Sequence, residues 1–197
     1  MLLSTFVSME QLLKLNLKVF DSFPELKTDR LLLREINEDD GNAIFKMRSN
    51  GRVNRFIPRP TMEEPQSGKD LAIKTAEAFY RKEVIGWAGV LRGKGDIIGT
   101  CGFNTIDYYN LRAEIGGELD VDYWGKHIAM EAVGAILNFG FEQLGLKSIE
   151  AKVSPENRGA VRLLEYFGFE KEAHFKNRVY FNNRFSDMAV YTKFEKA

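Results

Sequence analysis

The chain is poor in the residues that build covalently or metal-held scaffolds. Cys101 is its single cysteine, so no intramolecular disulfide can form and no thiol cluster can hold zinc; a reducing, cytoplasmic compartment is the expected setting. The two histidines, His127 and His174, do not make a metal site by themselves, and no metal is expected. Charge of one sign is lacking too. The 28 basic side chains balance 28 acidic ones, which removes the long-range field of a nucleic-acid or acidic-membrane binder, and neither partner is expected. No repeat, low-complexity tract or Pro/Ser/Gly-rich linker interrupts the 197 residues. Residues 1–20 have no basic start or small-residue cleavage site and are too interrupted by polar groups to span a membrane. Leu12, Leu13, Leu15, Leu17 and Val19 make a rough apolar stripe there. The expectation is an amphipathic helical extension over residues 1–22, packed on the main domain of residues 23–197 or on the second subunit of a homodimer.

What is present reads as one mixed domain with 44% hydrophobic residues, enough for a substantial core. Residues 28–35 form an apolar run that predicts a strand, followed by a helix from about residue 38. Pro58, Pro60 and Pro65 predict a loop over residues 52–68, bordering a substrate site, before helical spacing returns over 70–82. Strands over 84–92 and 96–104 flank the turn Gly93-Lys94-Gly95, and a third over 112–121 completes an antiparallel meander. Apolar residues then recur at three- and four-residue steps from Ile128 to Leu144, one face of a helix that Gly145 stops. A strand over 147–153, a helix over 157–167 ended by Gly168, and strands over 169–175 and 188–194 close the chain. The helical crossover from 112–121 to 147–153 requires those two strands to lie parallel, so the sheet is mixed.

The segment Tyr123-Trp124-Gly125-Lys126-His127-Ile128-Ala129-Met130-Glu131-Ala132 carries the most information. A glycine-containing turn runs from a strand straight into a helix, so several main-chain N–H groups and the positive end of the helix dipole converge, an arrangement that favours phosphate. Neither the P-loop spacing nor the GxGxxG of a dinucleotide fold is present, and a glycine before a helix is by itself more often a structural turn.

This stretch resembles motif A of the GNAT superfamily of N-acetyltransferases, in the YWGKGxAxEA form of relatives of the ribosomal-protein alanine/serine N-acetyltransferases. Two further segments resemble the same subgroup: Arg112-Ala113-Glu114-Ile115-Gly116, and the run from Ser154-Pro155-Glu156-Asn157 to Leu163-Leu164-Glu165-Tyr166-Phe167-Gly168-Phe169. The resemblance implies an α+β GNAT fold, a mostly antiparallel sheet of about seven strands with two parallel central strands that splay apart. It implies acetyl-coenzyme A (acetyl-CoA) as cosubstrate. Its pantetheine arm would lie along Leu119, Asp120 and Val121 as an added strand, and its pyrophosphate on the amides of Trp124, Gly125, Lys126, His127, Ile128 and Ala129. Asn157 would cap the second helix and also reach the cofactor. His127 stands where the family has glycine, so a left-handed conformation there would strain a side chain, and its imidazole would place a pH-dependent charge beside the phosphates.

The implied reaction acetylates a primary amine, and its acceptor can be sized. A protein N-terminal amine costs roughly 1 kcal/mol to present neutral at pH 7, and a lysine about 4.6 kcal/mol. A dedicated base is therefore optional for an N-terminus and more useful for lysine or polyamine. Glu114 is the first candidate base, acting through water, and Glu118 the second. The tyrosine acid of many GNAT enzymes is replaced by Leu164; Tyr166 falls on another helix face and reads as structural. Cys101 reads as a small buried hydrophobe rather than an acetyl-carrying thiol. The acceptor implied is a protein N-terminus, ribosomal or other. The competing readings are a small amine such as an antibiotic, polyamine or amino acid, and a catalytically weak CoA-binding module.

Overall fold

The computed structural model describes residues 14–195. Most of the N-terminal extension expected over 1–22 lies outside the described residues. Of its described part, Leu17–Phe20 form a 3-10 turn, and Leu15 and Phe20 are buried in the main core. Asn16 fastens this segment by donating its amide to the Leu144 carbonyl at 2.9 Å.

The strands are β1 (Leu26–Lys27), β2 (Leu31–Glu35), β3 (Ile85–Leu91), β4 (Ile97–Asp107), β5 (Arg112–Leu119), β6 (Ser148–Val153), β7 (Glu170–Phe181) and β8 (Arg184–Phe194). They form one sheet in the order β1-β2-β3-β4-β5-β6-β8-β7. Every neighbouring pair is antiparallel except β5 and β6. The predicted crossover thus yields the predicted parallel pair. Eight strands replace the expected seven because residues 26–27 pair as a short edge strand against Leu32 and Leu33.

The helices are α1 (Gly41–Arg48), α2 (Gly51–Asn54), α3 (Pro65–Tyr80), α4 (Ile128–Asn138) and α5 (Arg158–Tyr166). The loop expected over 52–68 is shorter than its prolines imply. Pro65 opens α3, a position where its missing N–H costs nothing, and α2 occupies the other end. Helix α4 continues through a π-helical turn, Phe139–Leu144, and stops at Gly145 in the left-handed conformation; Gly168 follows α5 in the same conformation.

Two clusters hold the layers together. Ile36, Ile44, Met47, Ala72, Ala88, Val90 and Ile97 bury α1 and α3 on one sheet face. The larger cluster packs α4 and α5 on the other, centred on Trp87, Phe103 and Phe139, whose rings meet edge to face at 5.3–6.0 Å. Trp87 also donates its indole N–H to the Pro24 carbonyl at 2.7 Å.

β7 and β8 run well past the expected ends at 175 and 188. They are joined by Asn182-Asn183, both left-handed with φ of 49° and 57°, the conformation of a two-residue hairpin turn.

Candidate active site

The parallel pair is short. β5 and β6 are in register only at Arg112 with Ser148, Ala113 with Ile149 and Glu114 with Glu150. Beyond these positions Ile115–Leu119 and Ala151–Val153 part, and a cleft of about 700 Å³ passes through the gap. It is lined on the α4 side by Ile128, Ala129 and Ala132, and on the α1 side by Arg48, Arg59 and Glu118. A gap in mid-sheet therefore joins the two faces of the protein.

β5 presents an unpaired edge to the cleft. The Asp120 amide donates to the Ile98 carbonyl at 2.8 Å. By the alternation of an antiparallel pair, the main-chain groups of Gly117 and Leu119 point the other way. The Leu119 carbonyl accordingly accepts from the Trp124 indole at 2.9 Å. Of the edge expected at Leu119, Asp120 and Val121, the structure engages the Asp120 amide. Asp120 has given its amide to β4, while its carboxylate caps Asp122 and meets Lys46 at 3.1 Å. Val121 opens a 3-10 turn and accepts from the Trp124 amide. Among the described residues, free groups remain at Gly117 and at the N–H groups of Leu119 and Val121.

The turn into α4 follows. Gly125 (φ 72°) and His127 (φ 59°) are both left-handed, so the position where the family has glycine does impose that conformation on a histidine. No side chain caps the helix, and the His127 ring instead lies 3.1 Å from the Met130 sulfur. Among the described residues, the amides of Gly125 to Met130 have no main-chain or side-chain acceptor. The Trp124 amide, expected to join them, is already used.

The turn is held from outside by Arg30 and Glu131, a long-range pair. Glu131 accepts from the Arg30 amide at 2.7 Å, from the Arg30 Nε at 2.6 Å and from the Thr28 hydroxyl. Arg30 also donates to the Lys126 carbonyl at 3.0 Å. Burial alone would raise the Glu131 carboxyl, but the bonds from Thr28 and Arg30 outweigh it and hold the group below its ordinary value. About a hundred residues separate these partners, so no local signal marks them.

Across the gap, Asn157 caps α5 by accepting from the Ala160 amide at 3.2 Å, and it lines the cleft. Leu164 is buried, and Tyr166, 68% exposed, lies outside the cleft lining.

The two candidate carboxylates share a face of β5, their positions about 14 Å apart along the strand at 3.4 Å per residue. Lys152 donates to Glu114 at 2.6 Å and forms an ion pair with Glu150 at 3.2 Å, and these partners raise the Lys152 ammonium above its ordinary value. Glu118 is 2% exposed and fully engaged. Its Oε1 accepts from Arg48 at 2.7 Å and from Thr100 at 3.3 Å, and its Oε2 from Arg59. Burial pushes the thiol of Cys101, which lines the cleft, up to about 12, which favours its protonated form near neutrality. Among the described residues, no group of three or more His, Cys, Asp or Glu could hold a metal, and no helix is long and apolar enough to cross a membrane.

A mixed sheet opened along its single parallel pair, with an uncapped helix start at the opening, is the GNAT arrangement. Residues 30–170 match the family described as acetyltransferase (GNAT) domain. The chain is 35% identical to the uncharacterized N-acetyltransferase YoaA of Bacillus subtilis over 170 residues, 86% of this chain and 96% of that protein. A GNAT-family acetyltransferase from Bacillus anthracis superposes with a TM-score of 0.77 at 26% identity, covering 87% of this chain and 98% of that one. The ribosomal-protein-S5-alanine acetyltransferase of Vibrio fischeri shares the fold with a TM-score of 0.76 at 23% identity, covering 87% and 96%. The chain belongs to the GNAT family and is an acetyl-CoA-dependent N-acetyltransferase.

Proposed function

We propose that this protein acetylates the α-amine of a protein or peptide N-terminus. The observation that carries the reading is that both candidate carboxylates are already engaged: Glu118 by two guanidiniums and a hydroxyl, Glu114 by Lys152. A site without an unencumbered base favours the amine that needs least help. At neutral pH an α-amine is about 3.5 kcal/mol cheaper to present unprotonated than a lysine side chain.

The residues fit acetyl-CoA on their own geometry. The free amides of Gly125, Lys126, His127, Ile128 and Ala129 suit a diphosphate at a helix start. Gly117 offers the pantetheine arm a strand edge, with Asn157 facing it across the gap. Bound there, acetyl-CoA supplies an acetyl group activated as a thioester. The acceptor enters from the α1 face, its nitrogen bonds to the acetyl carbon, and the carbon–sulfur bond breaks. The Leu119 N–H donates to the carbonyl oxygen, and Glu114 receives the amine proton through water by loosening its bond to Lys152. With Leu164 in the place of an acid, solvent protonates the departing thiolate.

Release of free thiol is the test, using peptides with a free N-terminus and no lysine against N-terminally blocked peptides that contain lysine. Turnover confined to the first set is expected. Turnover confined to the second set, or to polyamines, overturns the proposal.

A further inference from the structure

The charges of the cleft are unevenly divided. Around the parting strands and the β7–β8 hairpin the cleft carries one cation, Lys152 of β6, and two carboxylates, Glu114 of β5 and Asp187 of β8; Asp187 accepts from His174 at 2.7 Å and from the Asn177 amide at 2.9 Å. The α1 wall carries two cations, Arg48 and Arg59, and one carboxylate, Glu118.

The arginines are not used up by that carboxylate. Arg48 gives Glu118 only its Nε, and Arg59 gives one Nη to Glu118 and its Nε to Asn54 at 2.9 Å. Both Nη groups of Arg48 and the second of Arg59 have no partner among the described residues. No buried side-chain nitrogen lacks a partner there, so these groups open to solvent, and both residues line the cleft. Asn54 ties the pair together, since its amide donates to the Arg48 carbonyl at 2.6 Å. Two arginine side chains, 25% and 19% exposed, therefore hold their guanidiniums on one carboxylate. The two guanidiniums outnumber their carboxylate, and their unpartnered nitrogens leave donors for an anion at the cleft. Burial pushes the Arg59 guanidinium below its ordinary value; Glu118 opposes this and Arg48 adds to it.

We infer that Arg48 and Arg59 bind an anionic group of the acceptor, a carboxylate or a phosphate, a few residues from the amine that is acetylated. Forked guanidiniums suit either anion, and the carboxylates of Glu114 and Asp187 suit the incoming ammonium. The preferred acceptor is thus an N-terminus followed closely by an acidic or phosphorylated residue, and a polycation is disfavoured. The inference rests on the α-amine reading and adds the neighbour that the amine must have.

The test compares kcat/KM on the wild-type protein for free-amine peptide amides that differ only in one residue: glutamate, glutamine, lysine or phosphoserine, scanned through positions two to four. Glutamate or phosphoserine is expected to exceed glutamine about tenfold at its best position, the size of one charge-assisted hydrogen bond, with lysine lowest. The better of the two anions tells carboxylate from phosphate. The glutamate-to-glutamine ratio falls toward one in Arg48→Gln and Arg59→Gln; a variant that fails to fold leaves the wild-type comparison decisive. Equal rates for acidic and neutral peptides, or a ratio that survives both substitutions, overturn the inference while the α-amine reading stands. Acetylation of lysine side chains or polyamines alone overturns both.

Discussion

Two helices start at the cleft, and their first turns are finished differently. Asn157 closes α5 with its own side chain, accepting from the Ala160 amide. α4 has no such cap: it is entered through two left-handed residues, Gly125 and His127, and leaves the amides from Gly125 to Met130 open. A helix start that its own chain satisfies is architecture, whereas one left open at a cleft is available to an anion. The open start is also the one braced from a distance, through Arg30 and Glu131. Amides that lack partners must be held in place by something other than their own hydrogen bonds.

The largest expected effect breaks that brace. Glu131→Ala removes a carboxylate that accepts three bonds, and a loss of about 2–3 kcal/mol is expected in urea titration. In the parent, the Glu131 carboxyl sits below its ordinary value when folded, so its contribution is present above the unfolded pKa and is lost as pH falls through the lower folded one. The stability gap between parent and variant should therefore shrink in acid. A gap unchanged in acid would remove Glu131 from the brace.

Gly125→Val comes next. A β-branched residue at φ 72° forces the turn to move, and acetyl-CoA affinity by calorimetry should fall about tenfold or more. The corresponding change at the closed start, Asn157→Ala, should cost about 1 kcal/mol of stability through the lost cap. If instead it left stability intact and weakened only cofactor binding, the contrast between the two helix starts would be wrong. The smallest effect belongs to His127→Gly, which relieves a left-handed side chain but loosens the unfolded chain. A net gain within about 1 kcal/mol in melting or urea curves is expected.

How far the sequence could be read depended on the range of the interactions. The meander, α4 and the crossover followed from periodicity and turn composition, because those patterns act over a few residues. The β7–β8 tip did not. Asn182-Asn183 supplies left-handed residues without the glycine that signals a hairpin, and the strands beyond the sheet are largely exposed, so hydrophobic alternation is weak there. Pro65 read as loop although it opens a helix, since proline marks both.

The site divides in the same way. The turn Gly125–Ala129 was visible as a local motif, but Arg30 with Glu131, and Arg48 and Arg59 with Glu118, were not, because their partners lie 59–101 residues apart. Asp120 was expected at the open edge, yet strand alternation hands its amide to Ile98.

By itself the sequence determined the order of elements, the parallel crossover and the glycine-containing turn into α4, since each depends on short-range sterics and the apolar period. The tertiary structure alone decided where β5 and β6 part, which main-chain groups remain free, and which carboxylates are spoken for. Those outcomes are settled by competition among distant donors and acceptors for the same atoms, and only the folded chain brings the competitors together.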